Sequence, residues 1–394
     1  MAAKGDNLTP RCREAEVAEK VRLGDLLTPY KELNRGGGVP VAAVGRYGIR
    51  LRDEIYSKQL AKDTSKNRLI FKGTLTVGMG SKQIDIGILS DNKCYAVSPA
   101  YHTYRITGVD FDYLRYCLEA RNPDMSKRYM IASCRQGKTI DFDRWLDYEI
   151  PVHDERGQLL IRDALDKICE LKKNAETRLE KLDLLVKSRF VEMFGDTRTN
   201  TKSLPVRRLD NVCLSIVRGP FGSALKKEFF VAKSPNTYKV YEQKHAIQKS
   251  ASIGSYYIDA ARFNELRRFE CKPGDIIMSC SGTMGEFFRL PDDCEQGVMN
   301  QALCKFSLSD AVLPVYFLNY MKNAIGLLRT QGSGIQNIAA VSYVKSMPFL
   351  LPPLALQREF AAFVVKVDKL AVNVREAVAK MDMLYRSKLQ EYFG

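Results

Sequence analysis

Residues 182–195, LDLLVKSRFVEMFG, return at the end of the chain as residues 381–394, MDMLYRSKLQEYFG. The two stretches align without a gap at an offset of 199 residues and are identical at six of fourteen positions. The identical pairs are Asp183/Asp382, Leu185/Leu384, Ser188/Ser387, Glu192/Glu391, Phe194/Phe393 and Gly195/Gly394. Such self-similarity predicts a chain assembled as two similar halves.

An apolar series precedes each stretch at the same offset. Its members are spaced by four and three residues, which places one narrow apolar stripe along each of two helices of about 35 residues. The first series is Ile161, Leu165, Ile168, Lys172, Ala175, Leu179, Leu182 and Val186, and the second is Phe360, Val364, Val367, Ala371, Val374, Val378, Met381 and Tyr385. This spacing is typical of a coiled coil, although two unrelated amphipathic helices packed on separate cores would also satisfy it.

Each predicted helix follows a strand-like stretch that contains proline, YEIPV at 148–152 and MPFLLPPL at 347–354. Proline blocks the continuation of a helix from its N-terminal side, so the helices are predicted to begin after these stretches. The first helix is predicted to end at Gly195, which suits a C-cap, and the polar run TRTNTKS follows as a linker.

The segments before the helices have a different character. Residues 21–150 and 206–346 contain short β-branched and aromatic runs that Gly, Pro, Asn and Asp interrupt, with a few amphipathic helical stretches. The sequence therefore predicts an α+β fold in which two globular domains alternate with two long helices. Residues 1–20 carry mixed charge without periodicity and are predicted to be a disordered N-terminal extension.

The charge balance narrows the choice of partner. Lys and Arg number 61 against 46 Asp and Glu, which gives a net charge of +15. Counterion release favours a polyanion such as double-stranded DNA as the partner, although a merely basic protein would show the same excess. The sequence contains no apolar run of about 18 residues and no signal-peptide pattern. We therefore expect a cytoplasmic protein without a membrane partner.

Metal, disulfide and catalytic motifs are missing from the sequence. Ten cysteines are scattered without a C-x-x-C pair and only three histidines are present, so neither a disulfide framework nor a metal site is expected. GKT at 137–139 lacks the first glycine of a P-loop, because Ala132 stands there. SPAY at 98–101 lacks the amide or carboxylate and the second proline of an adenine methyltransferase, and PDD at 291–293 lacks the E-x-K pattern of a nuclease. We predict no catalytic residue and no cofactor bound by this chain.

Candidate nucleic-acid contacts concentrate in turn-rich loops of the second domain. RGPFGSALKK at 218–227 combines glycines that permit close backbone approach with a serine and lysines that suit phosphate. QGSGIQN at 331–337 adds amides able to pair with adenine, and further polar groups follow apolar strands between the two loops. The predicted contacts of this domain are Arg218, Gly222, Ser223, Lys226, Lys227, Ser281, Thr283, Asn300, Gln301, Ser333 and Gln336. Tight turns and satisfied core amides are the alternative interpretation.

The first domain offers a matching but weaker set of candidates. They are Lys72, Thr74, Lys82, Tyr101, His102 and Tyr104. The alternative interpretation is that the histidine is satisfied by packing and that the tyrosines are half-buried strand residues.

Six segments of the chain are informative in combination. They are RGPFGSALKKEFF at 218–230, YKVYEQKHAI at 238–247, GDIIMSCSGTMG at 274–285, NQAL at 300–303, LPPLALQREFAAFVVKVDKL at 351–370 and, in the first domain, VSPAYHTYRI at 97–106. Together they resemble the specificity subunit of type I restriction-modification systems, and the resemblance covers nearly the whole chain from about residue 20.

The resemblance implies two tandem target-recognition domains, 21–152 and 206–352, each followed by a spacer helix, 153–195 and 353–394, with 196–205 as the linker. The two helices would form an antiparallel coiled coil with pseudo-two-fold symmetry. Each domain would recognise one half of a bipartite, asymmetric DNA site. Two methyltransferase subunits, which use S-adenosylmethionine, and restriction or translocase subunits would dock on this frame.

Two other classes of function remain open at this point. A DNA methyltransferase or nuclease with diverged motifs would act on DNA as the isolated chain. A structural coiled-coil adaptor would bind protein alone, and its affinity for DNA would not depend on Lys226 and Lys227.

Overall fold

The structure, a computed structural model, describes residues 18–36, 38–55, 63–133, 137–220, 222–330 and 341–394. These residues divide into two compact units. Unit 1 comprises the described chain up to Glu176 together with Glu376–Gly394, and unit 2 comprises Thr177–Arg375. The division falls within the two long helices rather than at their ends, so each unit contains a segment of both.

Unit 1 is a mixed α+β unit. Its strands are β1 (Glu19–Arg22), β2 (Leu27–Pro29), β3 (Val41–Gly45), β4 (Gly48–Leu51), β5 (Arg68–Ile70), β6 (Thr74–Met79), β7 (Ile84–Leu89), β8 (Tyr95–Val97), β9 (His102–Ile106), β10 (Met130–Ser133), β11 (Gly137–Ile140) and β12 (Glu149–Val152). Its helices are α1 (Leu23–Leu26), α2 (Phe111–Tyr129), α3 (Phe142–Leu146) and the first part of α4 (Glu155–Phe194). Asp110 caps α2, because its carboxylate accepts hydrogen bonds from the amides of Asp112 and Tyr113.

Unit 2 is built from the same kinds of element. Its strands are β13 (Val206–Arg208), β14 (Cys213–Arg218), β15 (Thr237–Tyr241), β16 (Tyr257–Asp259), β17 (Glu270–Cys271), β18 (Ile276–Ser279), β19 (Phe287–Arg289), β20 (Gly297–Met299), β21 (Leu303–Leu308) and β22 (Pro348–Leu350). Its helices are α5 (Gln243–Gln248), α6 (Ala260–Glu265), α7 (Pro314–Thr330), α8 (Val341–Ser346) and the first part of α9 (Leu354–Phe393).

The two units have the same sheet topology. Unit 1 contains four-stranded sheets in the orders β4-β3-β8-β5 and β2-β9-β6-β7, and unit 2 contains β16-β15-β20-β17 and β14-β21-β18-β19. In the first sheet of each unit the central pair is parallel, and all other neighbouring strands are antiparallel. The sequence repeat of the helices therefore extends to the architecture of the domains.

The strand that opens unit 1 corrects one expectation. Residues 1–20 were predicted to be disordered, but Glu19 and Lys20 belong to β1 and pair with Val152 and Pro151 of β12. These pairings join β1 to β12, the strand that precedes α4. Residues 1–17, like the predicted loop at 331–337, lie outside the described residues.

The long helices bury the stripe that their spacing predicts. Every residue of the two apolar series is buried or half-buried. In unit 1, Lys172 of α4, which interrupts the first series, forms an ion pair with Asp382 of α9 at 2.6 Å. In unit 2, Arg189 of α4 pairs with Glu359 of α9 at 2.8 Å. Each unit thus contains direct contacts between its two helix segments.

The repeated phenylalanines anchor the helix ends in the two cores. Phe393 of α9 lies in the core of unit 1, where its ring centroid is 5.2 Å from that of Tyr113 in an edge-to-face arrangement. Phe194 of α4 lies in the core of unit 2, 4.7 Å from the ring of Tyr316 in the same arrangement. The hydroxyls of these tyrosines donate to backbone carbonyls of the strand before each long helix, Pro151 at 3.0 Å and Leu350 at 2.8 Å. Burial raises the pKa of both tyrosines well above the ordinary value, so they remain neutral donors.

A buried glutamine at the start of each long helix completes the repeat. Gln158 accepts a hydrogen bond from the amide of Asp110 at 2.8 Å and donates to the carbonyl of His153. Gln357, exactly one offset later in the chain, accepts from the amide of Leu313 at 2.8 Å and donates to backbone carbonyls. Each glutamine therefore ties the start of its helix to the start of α2 or α7.

Replacing Gln158 by leucine is expected to lower the free energy of unfolding by about 1–3 kcal/mol, because the amide of Asp110 and the carbonyl of His153 lose their buried partner. Trp145 is the single tryptophan of the chain and is fully buried in unit 1, so its fluorescence during urea denaturation reports on this change. Asn174→Leu, an exposed amide on the same helix, serves as the matched control. Equal urea midpoints for Gln158→Leu and Asn174→Leu would show that the hydrogen bonds of Gln158 do not stabilise the fold.

Candidate nucleic-acid interface

Four segments of unit 2 meet at one end of its two large sheets. The amide of Gly219 donates to the carbonyl of Leu303 at 2.9 Å, and the amide of Cys280 donates to Ala302 at 2.8 Å. The amide of Asn300 donates to Tyr241 at 2.9 Å. These bonds join the ends of β14, β15 and β18 to the link between β20 and β21. We call this region, residues 218–220, 222–227, 242–244, 281–283 and 300–301, the loop end of unit 2.

The loop end of unit 2 contains most of the contacts predicted for this domain. Within it, Thr283 and Gln301 are exposed, whereas Ser281 and Asn300 are half-buried. The Asn300 side chain has a structural role, because its Oδ1 accepts a hydrogen bond from the amide of Ala302 at 3.0 Å. The exposed amide of Gln301 is suited to pairing with a base edge.

Glycine is required where the first and last of these segments touch. A Cβ atom on Gly219 would lie 1.8 Å from the carbonyl oxygen of Asn300 and 3.0 Å from the amide nitrogen of Gln301. Both neighbours are backbone atoms and cannot rotate away. The glycine therefore sets the distance between the Arg218 segment and the Asn300 segment.

Arg218 occupies the end of β14 with donors left over. Its Nε and Nη1 atoms are buried and have no hydrogen-bond partner among the described residues. A hydrogen bond from Cys304 lowers the pKa of the Cys280 thiol, and the charge of Arg218 and a hydrogen bond from its side chain lower it further. Because unpaired buried donors cost about 1–3 kcal/mol each, a guanidinium in this state is suited to an anionic or acceptor-rich ligand.

The lysines of the same loop are exposed. Lys226 lies 3.5 Å from Glu228, and Lys227 has no acidic partner within ion-pair distance in the described part of the chain. Gly222 and Ser223 form the short helical turn before them, Gly222–Leu225. The carbonyl of Ala224 in this turn accepts a hydrogen bond from Arg262 Nε at 3.1 Å, which fixes the loop on unit 2. Ser333 and Gln336 lie outside the described residues.

Gln243 belongs to the loop end but was not among the predicted contacts. Its Oε1 atom is buried without a hydrogen-bond partner among the described residues, and a Cβ atom on Gly282 would lie 3.7 Å from its Nε2 atom. The neighbouring His245 is fully buried, with Nδ1 accepting from the Glu242 amide and Nε2 donating to the carbonyl of Ile253. Burial lowers the pKa of His245, so it is a neutral structural residue that holds α5 beside the loop end.

In unit 1 the structure separates the predicted contacts. Thr74 and Tyr104 are buried, and the Thr74 hydroxyl lies 3.0 Å from that of Tyr30. Both residues stabilise the core, and neither side chain is available to DNA in this arrangement. Lys72 is exposed but precedes β6, whereas Lys82 follows it, so the two lysines lie at opposite ends of a strand about 20 Å long.

Tyr101 and His102 lie at the same end of unit 1 as Lys82. The Tyr101 hydroxyl accepts from the Val44 amide at 3.3 Å and donates to the Val44 carbonyl at 3.1 Å, so it fixes the end of β3. His102 stacks on Phe142 with ring centroids 3.7 Å apart. Burial, followed by the charge of Arg68, lowers the pKa of His102 and favours the neutral ring.

Shared topology defines the corresponding loop end of unit 1. The ends of β3 and β6 and the link between β8 and β9 match the ends of β15 and β18 and the link between β20 and β21. The loop end of unit 1 therefore comprises residues 46–47, 80–83 and 98–102. Arg46 and Tyr47, which were not predicted, lie here. Their signal in the sequence is the stretch GRYG, because glycines flanking two residues between strands indicate a hairpin turn.

The described residues contain no cluster of three or more His, Cys, Asp or Glu side chains able to hold a metal ion. No helix in this part of the chain is both long and apolar enough to span a bilayer.

Gly219→Ala is expected to destabilise the protein by about 1–3 kcal/mol or more, because the new methyl group would overlap the backbone of Asn300. Differential scanning calorimetry would measure the loss. Gly36→Ala is the matched control, since its Cβ atom would meet nothing within 4 Å and its φ is ordinary. An unchanged melting temperature for Gly219→Ala would show that the two segments are not held together as described.

Comparison with known proteins gives a result at the level of fold. No protein-family model matches the sequence, and no curated protein matches it significantly. A chain from a structure concerned with complex assembly and conformational transition of the type I restriction-modification system is 15% identical, with a TM-score of 0.60 over 96% of this chain and 98% of that chain. The S subunit of a type I restriction-modification system from M. genitalium is 14% identical, with a TM-score of 0.51 over 98% of both chains. This chain therefore has the fold of type I restriction-modification S subunits.

Proposed function

We propose that this chain is the non-catalytic DNA-specificity subunit of a type I restriction-modification complex. The observation that carries the proposal is the duplication of one domain architecture, with a polar loop end on each copy and a long helix after each copy. The solved structures with the same fold, over nearly the full length, support it. In this role the two domains are the target-recognition domains.

A bipartite, asymmetric target follows from the differences between the loop ends. In unit 2 the chain leaves β15 into helix α5, whereas in unit 1 it turns directly from β3 into β4. The Arg218–Lys227 loop likewise has no counterpart of similar sequence in unit 1. Two domains with one frame and different contact residues recognise two different half-sites, while identical domains would require a palindrome.

The contacts within each unit support an antiparallel coiled coil with pseudo-two-fold symmetry. In unit 1 the start of α4 meets the end of α9, as Ile161, Leu165, Leu389 and Phe393 share one core. In unit 2 the end of α4 meets the start of α9. Each helix has 40 residues and is about 60 Å long, which suits a spacer that fixes the gap between half-sites.

Repeated exposed apolar residues on the helices support two equivalent docking sites for methyltransferase subunits. Unit 1 exposes Leu171, Met383 and Leu384, and unit 2 exposes Leu370, Leu184 and Leu185. These are the same three positions of the repeat, offset by 199 residues. Exposed apolar clusters mark interaction surfaces, and their repetition favours two copies of one partner. The partner would hold S-adenosylmethionine, and restriction or translocase subunits would join the same complex.

Co-expression with the methyltransferase subunit encoded beside this chain tests the proposed function. In a host without adenine methylation, we expect N6-methyladenine at one split motif with two defined halves and a fixed gap, mapped by long-read sequencing. The methylation should vanish when this chain is omitted. A stable complex that methylates nothing, or methylation that does not need this chain, would refute the proposal.

Lysine substitution on the helices tests the docking sites. Leu184→Lys with Leu185→Lys should leave one bound methyltransferase subunit instead of two, and the equivalent Met383→Lys with Leu384→Lys should do the same, because charges would enter an apolar contact. Native mass spectrometry measures the stoichiometry.

Leu159→Lys is the matched control for this experiment. Leu159 is also exposed on α4, but its repeat equivalent is Arg358, so a cation is accommodated at this position. Retention of two partners by all variants would rule out these surfaces as the docking sites.

A further inference from the structure

The turn between β3 and β4 presents an aromatic ring flanked by cations. Tyr47 is 73% exposed, and the guanidinium carbons of Arg46 and Arg50 lie 5.7 and 5.5 Å from its ring centroid. Both arginines are exposed and have no acidic partner within ion-pair distance among the described residues. Exposed arginines and tyrosines are groups that contact base edges and phosphates of duplex DNA.

The hairpin holds this tip in a fixed position. Gly45 pairs with Gly48, whose φ of +78° closes the tight turn. Behind the turn, the Tyr101 hydroxyl forms hydrogen bonds with the amide and the carbonyl of Val44. The Tyr101 ring packs against Gly78, where an added Cβ atom would lie 2.4 Å from the ring. A braced tip loses little conformational entropy on binding.

The location of the tip matches the loop end of unit 2. Arg46 and Tyr47 follow β3 where Glu242 and Gln243 follow β15, and Lys82 follows β6 where Ser281–Thr283 follow β18. The proposed contacts of unit 2 thus have a topological counterpart in unit 1, although no sequence similarity marks it.

A cleft of about 800 Å³ lies beside the hairpin. The charged residues of its lining are the basic Arg46, Lys93 and Arg115 and the acidic Asp91 and Glu119. Lys93 pairs with Asp91 at 3.0 Å, and Arg115 pairs with Asp112 at 3.2 Å. Because Arg46 and Arg50 have no acidic partner among the described residues, a polyanion would engage this part of unit 1 at the hairpin.

We infer that this hairpin is the sequence-reading element of unit 1 and enters the major groove of duplex DNA, with Tyr47 and Arg46 on base edges and Arg50 on the phosphate backbone. A two-stranded β-ribbon fits the major groove, which is about 12 Å wide. The inference rests on the proposed function and deepens it by naming the residues that recognise one half-site.

The test uses the full chain in complex with its methyltransferase partner and duplexes that carry the mapped site. In one duplex the half-site of unit 1 is scrambled, and in another the half-site of unit 2 is scrambled. Tyr47→Ala is expected to weaken binding to the intact site by about tenfold, because it removes one base-edge contact. It should also abolish the preference for the half-site of unit 1, whereas the preference for the half-site of unit 2 should persist. Arg50→Ala should reduce the slope of log K against log salt by about one.

Leu214→Ala, an apolar side chain of unit 2 that is 78% exposed, is the control and should bind like the wild type. Thermal denaturation of Tyr47→Ala should match the wild type, because the side chain is exposed. Full affinity and full discrimination of both half-sites by Tyr47→Ala would overturn the hairpin inference while leaving the proposed function intact. Loss of sequence preference in the wild-type complex would instead overturn the proposed function itself.

Discussion

Both units depend on the same anchoring of a helix end in a domain core. Phe393 in unit 1 and Phe194 in unit 2 pack edge-on against a buried tyrosine, whose hydroxyl donates to the strand that leads into the long helix. Burial of one phenylalanine contributes about 1.5–3 kcal/mol, and the tyrosine bond removes a buried unpaired carbonyl. Each core is completed by a phenylalanine from the other long helix, so a unit closes only when distant parts of the chain meet.

The helical half of this arrangement was accessible from the sequence. The four-and-three spacing predicts the buried stripe, and all its members are buried or half-buried. The six identities have different physical origins: Phe194 and Phe393 are core anchors, whereas Glu192 and Glu391 form exposed ion pairs with Arg189 and Lys388 of their own helices. The anchoring glutamines, Gln158 and Gln357, share the offset, but their identity does not indicate an anchoring role until their buried partners are seen.

The loop ends were only partly accessible, because strand register and strand order decide which side chains meet. All but the last residue of β6 are buried, so the alternation that would assign Thr74 to a solvent face does not exist. Lys72 and Lys82 are close in sequence yet flank opposite ends of that strand. In unit 2, by contrast, Arg218 ends β14, and Ser281 and Asn300 follow β18 and β20, whose ends meet that of β14. Tyr47 could have been noticed as a hairpin tip, but its place at the same loop end as Lys82 depends on strand pairing within both sheets of unit 1.

The same comparison explains why the repeat is visible in the helices and invisible in the domains. In unit 2, Lys305 forms a buried ion pair with Asp275 at 3.2 Å. At the corresponding positions unit 1 has Thr103 and Thr74, whose hydroxyls bond to Tyr30 instead. The ion pair and the two neutral threonines each satisfy the buried polar groups at these positions. Replacing Lys305 or Asp275 alone by threonine would leave the other charge buried and unpaired. Substitution at such sites must proceed in pairs, which erases identity while it preserves topology. The helix ends lack this freedom, since each phenylalanine has to fit a preserved tyrosine, and they retain the sequence signal.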